Sequence, residues 1–299
     1  MTKTYPINVP NQANTGALNY VQQNWNVTTP SFYGNQDISF VTDPINANGQ
    51  QVLRVVYPAG SYAPVGTHTG QGSAGGAEFF SQPPGNQAYD SLYLKYDLAF
   101  DSTFQWVQGG KLPGVFGGPP GSGCTGGNAA DGKNCFSVRL MWRENGAGEA
   151  YAYLPNKGGG LCQKNTVMCN DQYGTSISRG MIVFNQNKWT TIEIYVKLND
   201  ASKSDGILTV WQDGNIVINH QDVQYRQNNL VAGTSFFFST FFGGGDPSWS
   251  TPIDTYSYFK NIEFSVGHPV ELSDSAAIMI KPGSFLFLFV LSTFLMYLL

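Results

Sequence analysis

The strongest constraint on how this chain can fold is a period-two stretch from Phe136 to Leu154, FSVRLMWRENGAGEAYAYL. Phe136, Val138, Leu140 and Trp142 alternate with Ser137, Arg139, Met141 and Arg143, the spacing of a half-buried strand. Asn145-Gly146 supplies a turn, because both residue types tolerate positive φ. On the return, Ala150, Ala152 and Leu154 alternate with Tyr151 and Tyr153. Directly opposite residues share a face. Ser137, Arg139 and the two phenols therefore converge only if the connection has an odd number of residues or carries a bulge. Arg and Tyr are also ordinary on sheet surfaces, so the pattern alone leaves a plain solvated face open.

The rest of the chain is written the same way. Residues 52–57, 77–80, 91–100, 181–184, 189–198, 206–212, 216–219, 234–242 and 256–266 read as strands, and Asp213-Gly214 as a hairpin turn. Only 12% of residues are charged and 14% are aromatic, with 35 Gly and 16 Pro, a balance that favours short strands over helices. The expectation is an all-β fold, an antiparallel β-sandwich or jelly roll, forming one domain over residues 1–272. Residues 1–50 are rich in Asn, Gln, Thr and Pro and read as irregular structure with one edge strand. The Gly109-Gly110-Lys111-Leu112-Pro113-Gly114 stretch reads as a loop holding one lysine. It lacks the spacing and the Ser/Thr of a Walker phosphate cradle.

Charge and cysteine narrow the setting. A formal net charge of −4 gives no reason to expect nucleic acid, and a polyanionic ligand would need a local basic cleft. Cys124, Cys135, Cys162 and Cys169 form two close pairs without zinc-like spacing. Disulfides Cys124–Cys135 and Cys162–Cys169 are the economical reading, with free buried thiols as the alternative. No metal or cofactor is expected. Asn26-Val27-Thr28 is a glycosylation sequon.

Residues 273–299 change character: small residues from Ser273 to Ala277, a spacer, then an apolar run from Phe285 to Leu299. That is the layout of a GPI-attachment signal, with a membrane-spanning tail as the rival. A cell-surface protein, monomeric and lipid-anchored, is the expectation. Met1 opens directly onto polar sequence, without the basic and apolar regions of a signal peptide, so the N-terminus reads as incomplete.

A sandwich that handles glycans could be a hydrolase, a lyase or a binding module. A hydrolase needs two carboxylates about the scissile bond, for which Glu78, Glu144, Glu149 and Glu193 are the candidates. A lyase on a uronic acid needs cations or donors on the C5 carboxylate, a base for the C5 proton and an acid for the departing O4. Lys111, Ser137, Arg139, Tyr151 and Tyr153 supply such a set without histidine. The chain has only three His, at 68, 220 and 268, all outside the hairpin.

GGKLPG, CFSVRLMWR, EAYAYLP, FFGGGDPSW and DTYSYFKNIEF together resemble polysaccharide lyase family 14, particularly its fungal members. The resemblance spans most of residues 50–266. It implies a β-jelly roll of alginate and glucuronan-type lyases that cleave by β-elimination, with an acidic polysaccharide as substrate. It also implies that Lys111, the Ser137/Arg139 pair and the Tyr151/Tyr153 pair are the essential positions. Arg139 and Ser137 are then assigned to the carboxylate. Lys111 and Tyr151 become candidates for proton abstraction, and Tyr153 or its neighbour for the acid, with Arg139 and Lys111 expected to favour the phenolate. Arg143, Arg54, Lys95 and Trp249 are candidate substrate-binding residues, with Tyr93 a further aromatic that could stack on sugars. The alternatives carried beside it are a non-catalytic glycan-binding module of the same fold and a glycoside hydrolase.

Overall fold

A computed structural model describes residues 1–13, 15–46, 48–63, 73–155, 160–170 and 172–272. Two antiparallel sheets account for most of it, as a β-sandwich of jelly-roll type. One runs Val167–Met168, Thr175–Val183, Ala147–Tyr153, Phe136–Arg143, Gly109–Gly117, Gly233–Phe242, Ala77–Ser81 and Val27–Tyr33 in ladder order. The other runs Asn215–Val223, Gly206–Gln212, Thr190–Lys197, Ser91–Phe100, Thr255–Val266, Gln51–Tyr57 and Ile38–Thr42. Local hairpins alternate with long crossovers, which set Gly109–Gly117 beside Gly233–Phe242 and Ser91–Phe100 beside Thr255–Val266.

The alternation in the sequence decides what lies between them. Phe136, Val138, Leu140 and Trp142 join Leu92, Leu94, Tyr96 and Leu98 in one buried cluster. Burying such a side chain stabilises the fold by roughly 1.5–3 kcal/mol. The alternate residues of the hairpin lie on the outer face of its sheet. There Met141, Tyr151 and Tyr153 form a second cluster with Phe80, Phe116 and Phe237. The Cys124–Cys135 disulfide staples the excursion that packs on this face, and Cys162–Cys169 closes the second one.

Two sequence expectations need correction. The Lys111 stretch is not a loop but a central strand, Gly109–Gly117, paired with Phe136–Arg143 on one side and Gly233–Phe242 on the other. Its glycines serve close packing: a Cβ on Gly114 would lie 1.9 Å from the Val138 carbonyl oxygen, and one on Gly110 would lie 2.1 Å from the Trp142 ring. Pro113 has no N–H for the ladder, and the register shifts between Leu112 and Val115 to pass it. The Pro113 carbonyl accepts instead from the Tyr96 hydroxyl of the opposite sheet, at 3.1 Å. Second, residues 1–50 are more regular than their composition suggests. Lys3–Ile7 pairs with Thr255–Val266, Val27–Tyr33 and Ile38–Thr42 pair with Ala77–Ser81 and Gln51–Tyr57, and Ala17–Asn24 is a helix. That helix buries only Ala17 and Val21, too few apolar positions to announce a period of 3.6.

The apolar tail at 273–299 lies outside the described residues. Among those described, no helix is long and apolar enough to cross a membrane.

Candidate active site

The hairpin connection is a three-residue 3-10 turn, Glu144–Gly146, with Asn145 at φ 58° and Gly146 at φ 76°. Three is odd, so the ladder sets Ser137 opposite Tyr153 and Arg139 opposite Tyr151, all on the outer face. The neighbouring strand sets Lys111 opposite Met141 and brings its side chain to the same face. The Lys111 Nζ stands 4.4 Å from the Tyr151 ring centroid and 5.8 Å from that of Phe241. Sequence and structure agree on this grouping.

Burial, reinforced by Arg139 and Arg143, holds the Lys111 amine well below the ordinary lysine range; Glu149 and Glu78 pull it back only in part. Tyr151 departs from expectation. Burial and the adjacent Tyr153 push its phenol up to about 12, although the Gly174 N–H and Arg139 act the other way. The cations are present but desolvation outweighs them, so Tyr151 is a protonated phenol near neutrality. Both hydroxyls are held by main-chain donors. The Gly174 N–H donates to the Tyr151 oxygen at 2.9 Å, and the Gly127 N–H to the Tyr153 oxygen at 3.0 Å. Gly127 belongs to the excursion closed by Cys124–Cys135. The disulfide therefore reaches the site through one hydrogen bond.

Ser137 is placed differently from the carboxylate-binding role first assigned to it. Its hydroxyl is fully buried and donates to the Cys124 carbonyl at 2.6 Å, pinning the loop that carries Gly127. Arg139 lies on the same outer face, opposite Tyr151. It is 1% exposed, stacks 4.8 Å over the Phe237 ring, and donates through Nη1 to Ser239 Oγ at 2.9 Å. Its buried Nε has no partner among the described residues, an unsatisfied donor at the centre of the face.

The remaining candidates divide. The Arg143 guanidinium lies 5.9 Å from the Trp249 ring at the edge of the site, but its Nε donates to Glu149 at 2.9 Å. Glu149 is fully buried, and its second oxygen accepts from Arg179 Nε at 2.6 Å and Ser176 Oγ at 2.5 Å. Arg143 is thus held in a structural ion cluster rather than free for substrate. Arg54 and Lys95 are not at the site. Arg54 donates to Ser39 Oγ and stacks on Tyr256; Lys95 lies between Glu193 and Glu263. Both are on the outer face of the opposite sheet, since they alternate with its core residues. Tyr93 stands there too, donating to Glu193.

The geometry disfavours the hydrolase reading. Both oxygens of Glu149 are occupied by cations and a hydroxyl, Glu193 is on the far sheet, and Glu144 is an exposed turn residue. Glu78, Ser239, Glu149 and Arg179 shape the site's charge, and the motifs did not single them out for this role. Glu78 and Glu149 stood out in the sequence only as candidate carboxylates of a hydrolase. Among the described residues, no group of three or more His, Cys, Asp or Glu is arranged to hold a metal ion.

The polysaccharide lyase 14 family model matches residues 46–262. This chain belongs to polysaccharide lyase family 14. A PL-14 alginate lyase from Aplysia kurodai is 34% identical in sequence, with the match covering 89% of this chain and 98% of that one at a TM-score of 0.73. The alginate lyase vAL-1 from Chlorella virus shares the fold at 23% identity and a TM-score of 0.63, over 86% of this chain and 100% of its own. Exolysin of Paramecium bursaria Chlorella virus 1 is 27% identical over 229 residues, which are 68% of this chain and 33% of exolysin. The chain thus spans about a third of the length of that curated relative. The family 14 match includes the strands that carry Lys111, Ser137, Arg139, Tyr151 and Tyr153.

Proposed function

We propose that this chain cleaves a uronic-acid polysaccharide of the alginate or glucuronan type by β-elimination. One observation carries the reading: an amine held below its ordinary range, a protonated phenol and an unpartnered buried guanidinium donor meet on one sheet face. Arg139 binds the C5 carboxylate, which acidifies the C5 proton and stabilises the enediolate. Lys111, held toward its neutral form, takes that proton. The electron pair forms the C4–C5 double bond as the C4–O4 bond breaks, and Tyr151 gives its hydroxyl proton to O4. After product leaves, solvent restores the proton balance of Lys111 and Tyr151. Membership of the family and the 34% identical alginate lyase favour an alginate-type substrate. A glycan-binding module would need neither the tuned amine nor the phenol.

Work outside the cytosol is supported by the pairing of all four cysteines. The layout of residues 273–299 supports a GPI-type anchor. With a signal peptide supplied, release of the protein from cells by a phosphatidylinositol-specific phospholipase tests the anchor; retention with the tail intact contradicts it. For the reaction, the purified protein is incubated with polymannuronate, polyguluronate, glucuronan and a neutral glucan. Ultraviolet absorbance of an unsaturated uronate should grow with at least one polyuronate and not with the glucan. New reducing ends without that absorbance would indicate hydrolysis.

A further inference from the structure

The site face holds two carboxylates that the elimination does not use: Glu149, tied into its arginine cluster, and Glu78. Glu78, on the Ala77–Ser81 strand, has a side chain only 12% exposed. Its Oε2 accepts from Ser239 Oγ at 2.7 Å, and that same hydroxyl accepts from Arg139 Nη1 at 2.9 Å. The direct Nη1–Oε2 separation is 3.6 Å. Arg139 is therefore held in place through Ser239, with Glu78 behind it. The groups facing Glu78 are Arg139 and Lys111 from the two central strands, Ser239 from Gly233–Phe242, and Tyr33, which lies opposite it on Val27–Tyr33. Burial raises the Glu78 carboxyl above its ordinary range despite the pull of both cations.

A uronate carboxylate drawn to Arg139, whose buried Nε lacks a partner among the described residues, places a second anion on a guanidinium that Glu78 already shares. Two carboxylates this close on one cation favour a shared proton over two full charges. We propose that Glu78 takes up a proton when the polysaccharide binds, acting as a positioning residue that holds Arg139 in the empty site and yields its charge to the substrate. This rests on the reading that Arg139 receives a uronate carboxylate. Substrate binding then weakens as pH rises through the Glu78 titration, by up to about tenfold per pH unit. Turnover moves the opposite way, because it needs neutral Lys111.

Calorimetric titration of a trimeric oligomannuronate tests this, using Tyr151→Phe protein to hold turnover down. Titrations at one pH in two buffers of different ionisation enthalpy report protons taken up per site. A clear fraction of one proton, up to one, is expected, with affinity falling as pH rises. The double variant Tyr151→Phe/Glu78→Gln should take up none and bind with little pH dependence, while a cooperative melt shows that it folds. No uptake in the Glu78-bearing protein, or equal uptake in the Gln variant, overturns the proposal. Absence of any binding overturns it together with the carboxylate role of Arg139. Cleavage of polyuronates by the wild type without proton uptake sinks this inference alone. Uptake without any cleavage leaves it standing and sinks the lyase reading.

Discussion

Gly174→Ala tests whether the Tyr151 hydroxyl must stand where its main-chain donor holds it. A Cβ on Gly174 would lie 2.6 Å from Tyr151 Cε1, 2.8 Å from Cζ and 3.1 Å from Cδ1. Carbon atoms pack best at about 3.5–4.0 Å, so the ring must retreat by roughly 1 Å. Gly174 does not adopt a left-handed φ, so alanine suits its backbone and the perturbation is confined to that ring. A displacement of about 1 Å in a reacting group can cost ~10²-fold in rate, whereas overpacking of this kind costs about 1–3 kcal/mol of stability. The assay is kcat on the best polyuronate from ultraviolet absorbance, with a thermal melt alongside. Tyr151→Phe alone should lose ~10²-fold or more. The double variant Gly174→Ala/Tyr151→Phe should lose little beyond that, because the hydroxyl whose position matters is already gone. If Gly174→Ala keeps kcat within about threefold of wild type, or if the two losses multiply, Tyr151 is not acting through its hydroxyl.

Three further outcomes follow from the same geometry. Because its amine is held below the ordinary 10.5, Lys111 binds fewer protons folded than unfolded between its lowered pKa and 10.5. Its contribution to stability therefore rises with pH across that window, whereas kcat should rise as pH climbs to the lowered pKa and level off above it. Lys111→Arg, which cannot deprotonate, should lose ~10²-fold or more at every pH, and a pH–rate series that matches wild type would refute its role as base. Glu149→Gln leaves Arg143 and Arg179 without their shared counter-charge; with Arg179 43% exposed, the cost should sit near the low end for a broken buried pair, about 3 kcal/mol, read as a lowered melting temperature. Cys124→Ser/Cys135→Ser should cost about 3 kcal/mol through the released loop and also lower kcat, since Gly127 loses its fixed position over Tyr153; a change in melting alone would show that the loop is only a staple.

The hairpin was the most legible part of the chain, because a strand buried on one side writes its alternation directly into sequence. The odd-length turn needed for convergence could be stated as a condition, and Glu144–Gly146 meets it. The Lys111 strand was illegible for the opposite reason. Gly110, Gly114 and Gly117 are there because Trp142, Val138 and Phe136 crowd the backbone, and tight packing of this kind looks like a loop when read locally. The residues wrongly drawn to the site, Arg54 and Lys95, show a second limit. Period two tells which side of its own strand a residue faces, but only the strand order tells which of four sheet faces that is. Glu78 and Arg179 come from strands distant in sequence, and the ion clusters they form exist only once the crossovers are made. The phenol of Tyr151 was expected to be tuned toward the phenolate by its cations. Burial decided otherwise, and that burial comes from the excursion closed by Cys124–Cys135 and from Gly174, neither of which the hairpin's own alternation reveals.

The central claim is that one amine and one phenol on this face carry out an elimination. It is tested most directly by following the C4–C5 double bond by ultraviolet absorbance, for wild type, Lys111→Met and Tyr151→Phe, on the polyuronate that wild type degrades fastest. The account predicts steady growth of absorbance with wild type and a fall of ~10²-fold or more in kcat for each variant, with melting temperatures near the parent's. Either variant making the unsaturated product at close to the wild-type rate would contradict it.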